Sequence, residues 1–177
     1  MKRLIAGFLL LTAMLLPQPS WAGKAHEHGA VKLDLAVDGQ RIMLQMESPL
    51  DNLLGFERAP RSDAERKSVD AMVSRLKAAE TLFKPDPAAQ CSLGTVSLQS
   101  PTLKLGSPDP DAKDDGHADL DATFEFNCKD ATQAAFVDVA LFDAFPRMKR
   151  IQVQAATAKG QFKRTLAAPA RRVDFSR

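Results

Sequence analysis

Histidine is scarce in this chain of 177 residues: there are three, at positions 26, 28 and 117. Tyrosine is absent, the single tryptophan is Trp21, and there are two cysteines, Cys91 and Cys128. Each shortage narrows the function. With three imidazoles, a Ser-His-Asp arrangement could only be assembled by arbitrary choice of partners. No G-x-S-x-G elbow, H-E-x-x-H helix or glycine-rich phosphate cradle occurs. The stretch "LGSPDP" (105–110) reads as a loop, not as a strand–turn–helix nucleophile site. An enzyme is therefore not expected.

Long apolar runs are also missing beyond the start. Lys2 and Arg3 precede the apolar stretch Leu4–Leu16, followed by Pro17, Pro19 and Ser20-Trp21-Ala22. This is the layout of a secretory signal, too short to cross a bilayer, with cleavage expected after Ala22. Removing 1–22 takes two basic residues and no acids, so 24 − 2 = 22 basic residues face 22 acidic ones. A balanced chain offers no electrostatic reason to bind nucleic acid or anionic lipid. Residues 23–177 number 177 − 22 = 155, enough for a single domain with a sizeable core.

In an oxidising compartment Cys91 and Cys128 are expected to form a disulfide, worth about 4 kcal/mol in the chain-entropy model. A thiolate metal site or redox pair is the lesser alternative, because the spacing is neither C-x-x-C nor zinc-finger-like. The pair would also hold together the two ends of the loop between them.

What is present reads mainly as strands. Val31, Leu33, Leu35 and Val37 alternate with polar or small residues; Asp38-Gly39 signals a turn, and Ile42, Leu44 and Met46 resume the alternation. "LDNLLGFERAP" (50–60) is a connection whose Leu53, Leu54 and Phe56 plug the core edge. Ser62-Asp63-Ala64-Glu65 is a capping box opening a helix expected to reach about residue 83, with Val69, Met72, Val73, Leu76 and Phe83 at helical spacing. Its Arg66, Lys67, Arg75 and Lys77 fit a solvated surface better than a docking face. Strands resume at Leu93–Leu98, with "LKL" (103–105) extending or following, and return at "ADLDATFEFNC" (118–128) and Phe136–Leu141. "ATQAAF" (131–136) reads as a helical turn, Phe142–Pro146 as a chain reversal, and 151–157 with 161–166 as a last hairpin. The expected fold is α+β: an antiparallel β-rich single domain with one long amphipathic helix packed on the sheet, and an acidic loop at 106–117.

Two groups of residues could bind a cation. In an extended segment His26 and His28 point the same way and Glu27 the other, so both imidazoles could converge on zinc, copper or nickel. Two histidines do not complete a zinc site, and a frayed polar tail is the competing reading. His117 lies among Asp109, Asp111, Asp114, Asp115 and Asp119. Read as a calcium loop starting at Asp111, this run has its glycine at Gly116. It fails because Lys113 occupies a ligand position and Ala122 stands where a bidentate glutamate is required.

The run "HEHGAVKLDLAVDGQRIMLQMESPLDNLLGFERAP" (26–60) resembles the opening of the zinc-regulated, histidine-rich periplasmic protein family (ZrgA-like) of Gram-negative bacteria. The shared pattern is carried by His26, His28, Gly29, Ser48, Pro49, Asn52, Gly55, Phe56, Glu57 and Pro60. Further matches are "LKAAETLF" (76–83), Cys91, "ATFEFNC" (122–128) and "LFDAFPRMKRIQVQ" (141–154). The resemblance implies a periplasmic zinc-binding accessory protein acting in zinc acquisition beside a zinc-uptake ABC transporter. His26 and His28 would be ligands, joined by His117 and Asp115 or Asp119 if the acidic loop folds back. Two departures limit it. The long His/Asp-rich stretch between the cysteines has shrunk to "DPDAKDDGHAD" (109–119), and Arg58 replaces a histidine that many members carry after G-F-E. One or two sites are expected, not a high-capacity buffer. The alternative is a periplasmic interaction or scaffold protein with no metal role.

Overall fold

A computed structural model describes residues 27–107 and 118–175. The expected signal segment 1–22 lies outside them. The alternating run at 30–48 becomes β1 (Ala30–Asp38) and β2 (Arg41–Pro49), paired antiparallel with Leu35 opposite Leu44. The Pro49–Gly55 connection contains a one-turn helix, α1 (Leu50–Leu54). Next come α2 (Asp63–Lys77), β3 (Phe83–Pro85), β4 (Cys91–Gln99) and β5 (Asp119–Cys128). The chain finishes with β6 (Phe136–Val139), α3 (Leu141–Ala144), β7 (Arg150–Thr157), β8 (Gly160–Ala167) and β9 (Arg172–Asp174).

Six strands form the main sheet in the order β4-β5-β2-β1-β7-β8, and β3-β6-β9 form a small second sheet. The period-two pattern drives one face of the main sheet inward. Leu33, Leu35, Ile42, Leu44, Leu120, Phe124, Ile151 and Val153 are all buried. Phe83, Val137, Val139 and Val173 of the small sheet join the same core cluster, as do Val69, Met72 and Leu76 of α2. The rings of Phe83 and Phe124, 4.9 Å apart, connect the two sheets directly.

Three expectations need correction. The main sheet is mixed, not antiparallel, because β1 pairs parallel with β7, Leu33 standing beside Val153. The helix stops at Lys77, not near 83; Ala79–Thr81 is a 3-10 turn and Phe83–Pro85 is strand β3. The reason is tertiary: Phe83 pairs with Val139 and is fully buried, which outweighs the helical propensity of "LKAAETL". Finally, Leu103 and Leu105 extend no strand; residues 101–104 form a turn closed by a bridge between Ser100 and Leu105.

Cys91 and Cys128 are disulfide-bonded, as expected, but not where the loop is. They stand opposite each other at the start of β4 and the end of β5, whereas the loop joins the other ends of these strands. There the chain is held by the ladder, Gln99 beside Asp121, and by the Ser100 hydroxyl donating to the Asp119 carbonyl at 2.7 Å.

Candidate metal site

The N-terminal turn is held by backbone latches and by one buried side chain. The Ala30 N–H donates to the Glu27 carbonyl at 2.9 Å, closing a tight turn over Glu27–Ala30. Gly29 lies in the left-handed region (φ +81°), and a Cβ there would come within 3.0 Å of the Lys149 side chain. Its carbonyl accepts from the N–H groups of Lys149 (2.7 Å) and Arg150 (3.0 Å), tying the turn to the start of β7. On the other side, the Asn52 side chain of α1 accepts from Gly29 N–H at 2.6 Å and donates to the Ala30 carbonyl at 2.8 Å. Glu27 pairs with Arg150. His28 projects from this turn and stays well exposed.

A second segment meets it. After α1, Gly55 adopts φ +83°, and its N–H caps the helix on the Asp51 carbonyl at 2.9 Å. Phe56 then packs against the core, and Glu57 emerges toward the N-terminal turn. The His28 Nε2 and the Glu57 Oε1 are 3.1 Å apart. Arg58 turns away from them. Its guanidinium lies over the Phe56 ring at 5.0 Å and makes a two-pronged contact with Glu65, at 2.9 and 2.7 Å. That guanidinium, helped by the Arg61 N–H, holds the Glu65 carboxyl down at about 2. Ser62 accepts from the Glu65 N–H at 3.2 Å, as the capping-box pattern requires. The Glu65 carboxylate reaches back to the Arg61 N–H at 2.6 Å, and the Ser62 N–H also helps to hold it ionised.

The surrounding carboxylates are committed to cations: Glu27 to Arg150, Asp51 to Arg147 and Glu65 to Arg58. Glu57 faces an imidazole instead. Two zinc ligands at about 2.1 Å, subtending a tetrahedral angle, stand about 3.4 Å from each other. The 3.1 Å gap is within a few tenths of an ångström of that spacing, so one divalent ion could be held between the two groups. The residues fit part of a zinc site, with one nitrogen and one carboxylate oxygen as donors.

The expected ligands are distributed unevenly. His28 lies in the N-terminal turn beside Glu57, a partner that the histidine spacing does not reveal. The only hint lay in the G-F-E triplet, where an acidic residue follows a partly buried aromatic. His26, Asp115 and His117 lie outside the described residues. Asp119 begins β5, opposite Pro49. Continuing the β1–β2 ladder from Lys32–Glu47 brings Ala30 level with Pro49, so Asp119 shares one end of the sheet with the His28 turn, about 10 Å across β2. Among the described residues no group of three or more His, Cys, Asp or Glu side chains gathers into a metal site, so Asp119 is not joined to His28 and Glu57 there.

Among the described residues no helix is long and apolar enough to cross a membrane. The model of the family described as "ZrgA family zinc uptake protein" matches residues 25–175, which include the His28 turn, the Glu57 segment and both cysteines. No curated protein matches the chain.

Proposed function

The chain belongs to the ZrgA family of zinc uptake proteins, and from that membership we propose that it is a periplasmic zinc-binding accessory protein. The observation that carries this reading is the 3.1 Å approach of His28 Nε2 to Glu57 Oε1 at an exposed turn. His28 and Glu57 are two ligands, and His26, two residues upstream, is the third. Water, or His117 with Asp115 or Asp119 from the acidic loop, completes the coordination. The disulfide between Cys91 and Cys128 supports an oxidising compartment and hence export. An exposed site of this kind suits collection and hand-over of the ion to a zinc-uptake ABC transporter. Deeply caged structural zinc has a closed four-ligand shell instead.

Calorimetric zinc titration of residues 23–177 tests the reading. The unaltered protein is expected to take up one or two ions. Glu57→Ala and the His26→Ala/His28→Ala variant should each lose affinity by tenfold or more. Identical uptake by all three proteins refutes the site.

A further inference from the structure

We propose that Asn52 is the positioning residue that sets the distance between the two donors of the zinc site. This deepens the zinc reading and rests on it. Asn52 is 1 % exposed, one of three buried polar residues among those described. It belongs to α1, a helix of a single turn that contributes one other buried residue, Leu50. A buried amide of this kind is retained only where its polar atoms are satisfied.

Its two ends are used differently. The Oδ1 accepts from Gly29 N–H at 2.6 Å, and the Nδ2 donates to Ala30 C=O at 2.8 Å, with the Ser48 hydroxyl 3.5 Å away. These are the backbone groups of the two residues that follow His28. Five residues after Asn52 the same segment delivers Glu57, by way of the Gly55 reversal. One side chain thus ties the turn carrying the imidazole to the short helix that leads into the segment carrying the carboxylate. Among the described residues, His28 and Glu57 are both exposed and each has the other as its partner. Metal–ligand bonds tolerate errors of about 0.2 Å, so a clamp between the two backbones controls affinity without touching the ion.

The test is a double-mutant cycle on zinc affinity in the purified protein, with cobalt absorption as a second measure of coordination geometry. Asn52→Ala is expected to weaken zinc about tenfold or more, in the range typical of residues that orient metal ligands. It should also change the cobalt spectrum. In a His28→Ala background the same substitution should produce no further loss, because the donor it positions is gone. Val139→Ala, in the small sheet, serves as a comparison: it should lower the melting temperature while leaving zinc affinity alone. Should Asn52→Ala not fold, Asn52→Gln keeps both hydrogen-bonding ends but displaces them by one methylene, and should bind zinc less tightly. Unchanged affinity in Asn52→Ala or Asn52→Gln, while His28→Ala loses zinc, overturns the positioning role and leaves the site standing. Full additivity in the cycle overturns it as well. If the unaltered protein takes up no zinc, the site falls and the positioning role with it.

Discussion

At the scale of single residues, the site depends on where neighbouring charges go. Arg58 directly follows Glu57, and a free guanidinium there would compete with any metal for the carboxylate. Glu65 removes that competition by engaging Arg58 through both oxygens, which is also why its own carboxyl lies at about 2 instead of near 4.5. The depressed value has a stability consequence of definite sign. The contribution of ionised Glu65 is fully present above about pH 4.5, where the unfolded chain is also ionised. It is lost as pH falls from there toward 2. Acid unfolding followed by circular dichroism should therefore show a shallower loss of stability between pH 4.5 and 2 in Glu65→Gln. Equal slopes would mean that the contact is not formed in solution. The capping-box pattern announced Glu65, but not that Arg58 would be its partner, because the seven-residue return from Arg58 to the helix start depends on how the connection folds.

Among the elements, the strands were the most legible from sequence and the helix end the least. Alternation located β1, β2 and β5 closely, since each buries one face against a single layer and its period-two signal is clean. Residues 78–85 misled because alanine, leucine and glutamate favour helix, while the actual outcome is set by Phe83 pairing with Val139, 56 residues away. β9 (Arg172–Asp174) was not foreseen: three residues are too few to display a period, and Arg172 is fixed by Asp138 on the neighbouring strand at 2.6 and 2.8 Å. The disulfide was legible as a pair but not by its place. It closes the end of β5 away from the site, nine residues or about 30 Å from Asp119. Replacing both cysteines by alanine should lower stability by roughly 2–4 kcal/mol in denaturant titration. Zinc affinity should remain within twofold. A large loss of zinc would show that the cystine governs the site after all.

Across the whole molecule, the decisive feature is a pairing that no local pattern encodes. β1 and β7 lie parallel, so the N-terminal turn meets the "FPRMKR" segment (145–150), and Lys149 and Arg150 latch Gly29. The resemblance-bearing stretches 26–60 and 141–154, far apart in the chain, are thus brought together beside the site. The two sheets share one core through Phe83 and Phe124. Phe83→Ala should consequently cost about 3–5 kcal/mol. Far-ultraviolet and near-ultraviolet signals should still be lost together on heating; separate transitions would show that the small sheet melts on its own.

With three histidines in the chain, imidazole nitrogen spectra offer an unusually direct reading of the site. Nitrogen-15 NMR during zinc titration, comparing the unaltered protein with Glu57→Gln, is the decisive measurement. One equivalent of zinc should shift the His28 ring nitrogens, and the shift should shrink or require excess metal in Glu57→Gln. Saturation with zinc that leaves the His28 resonances where they began would contradict the account.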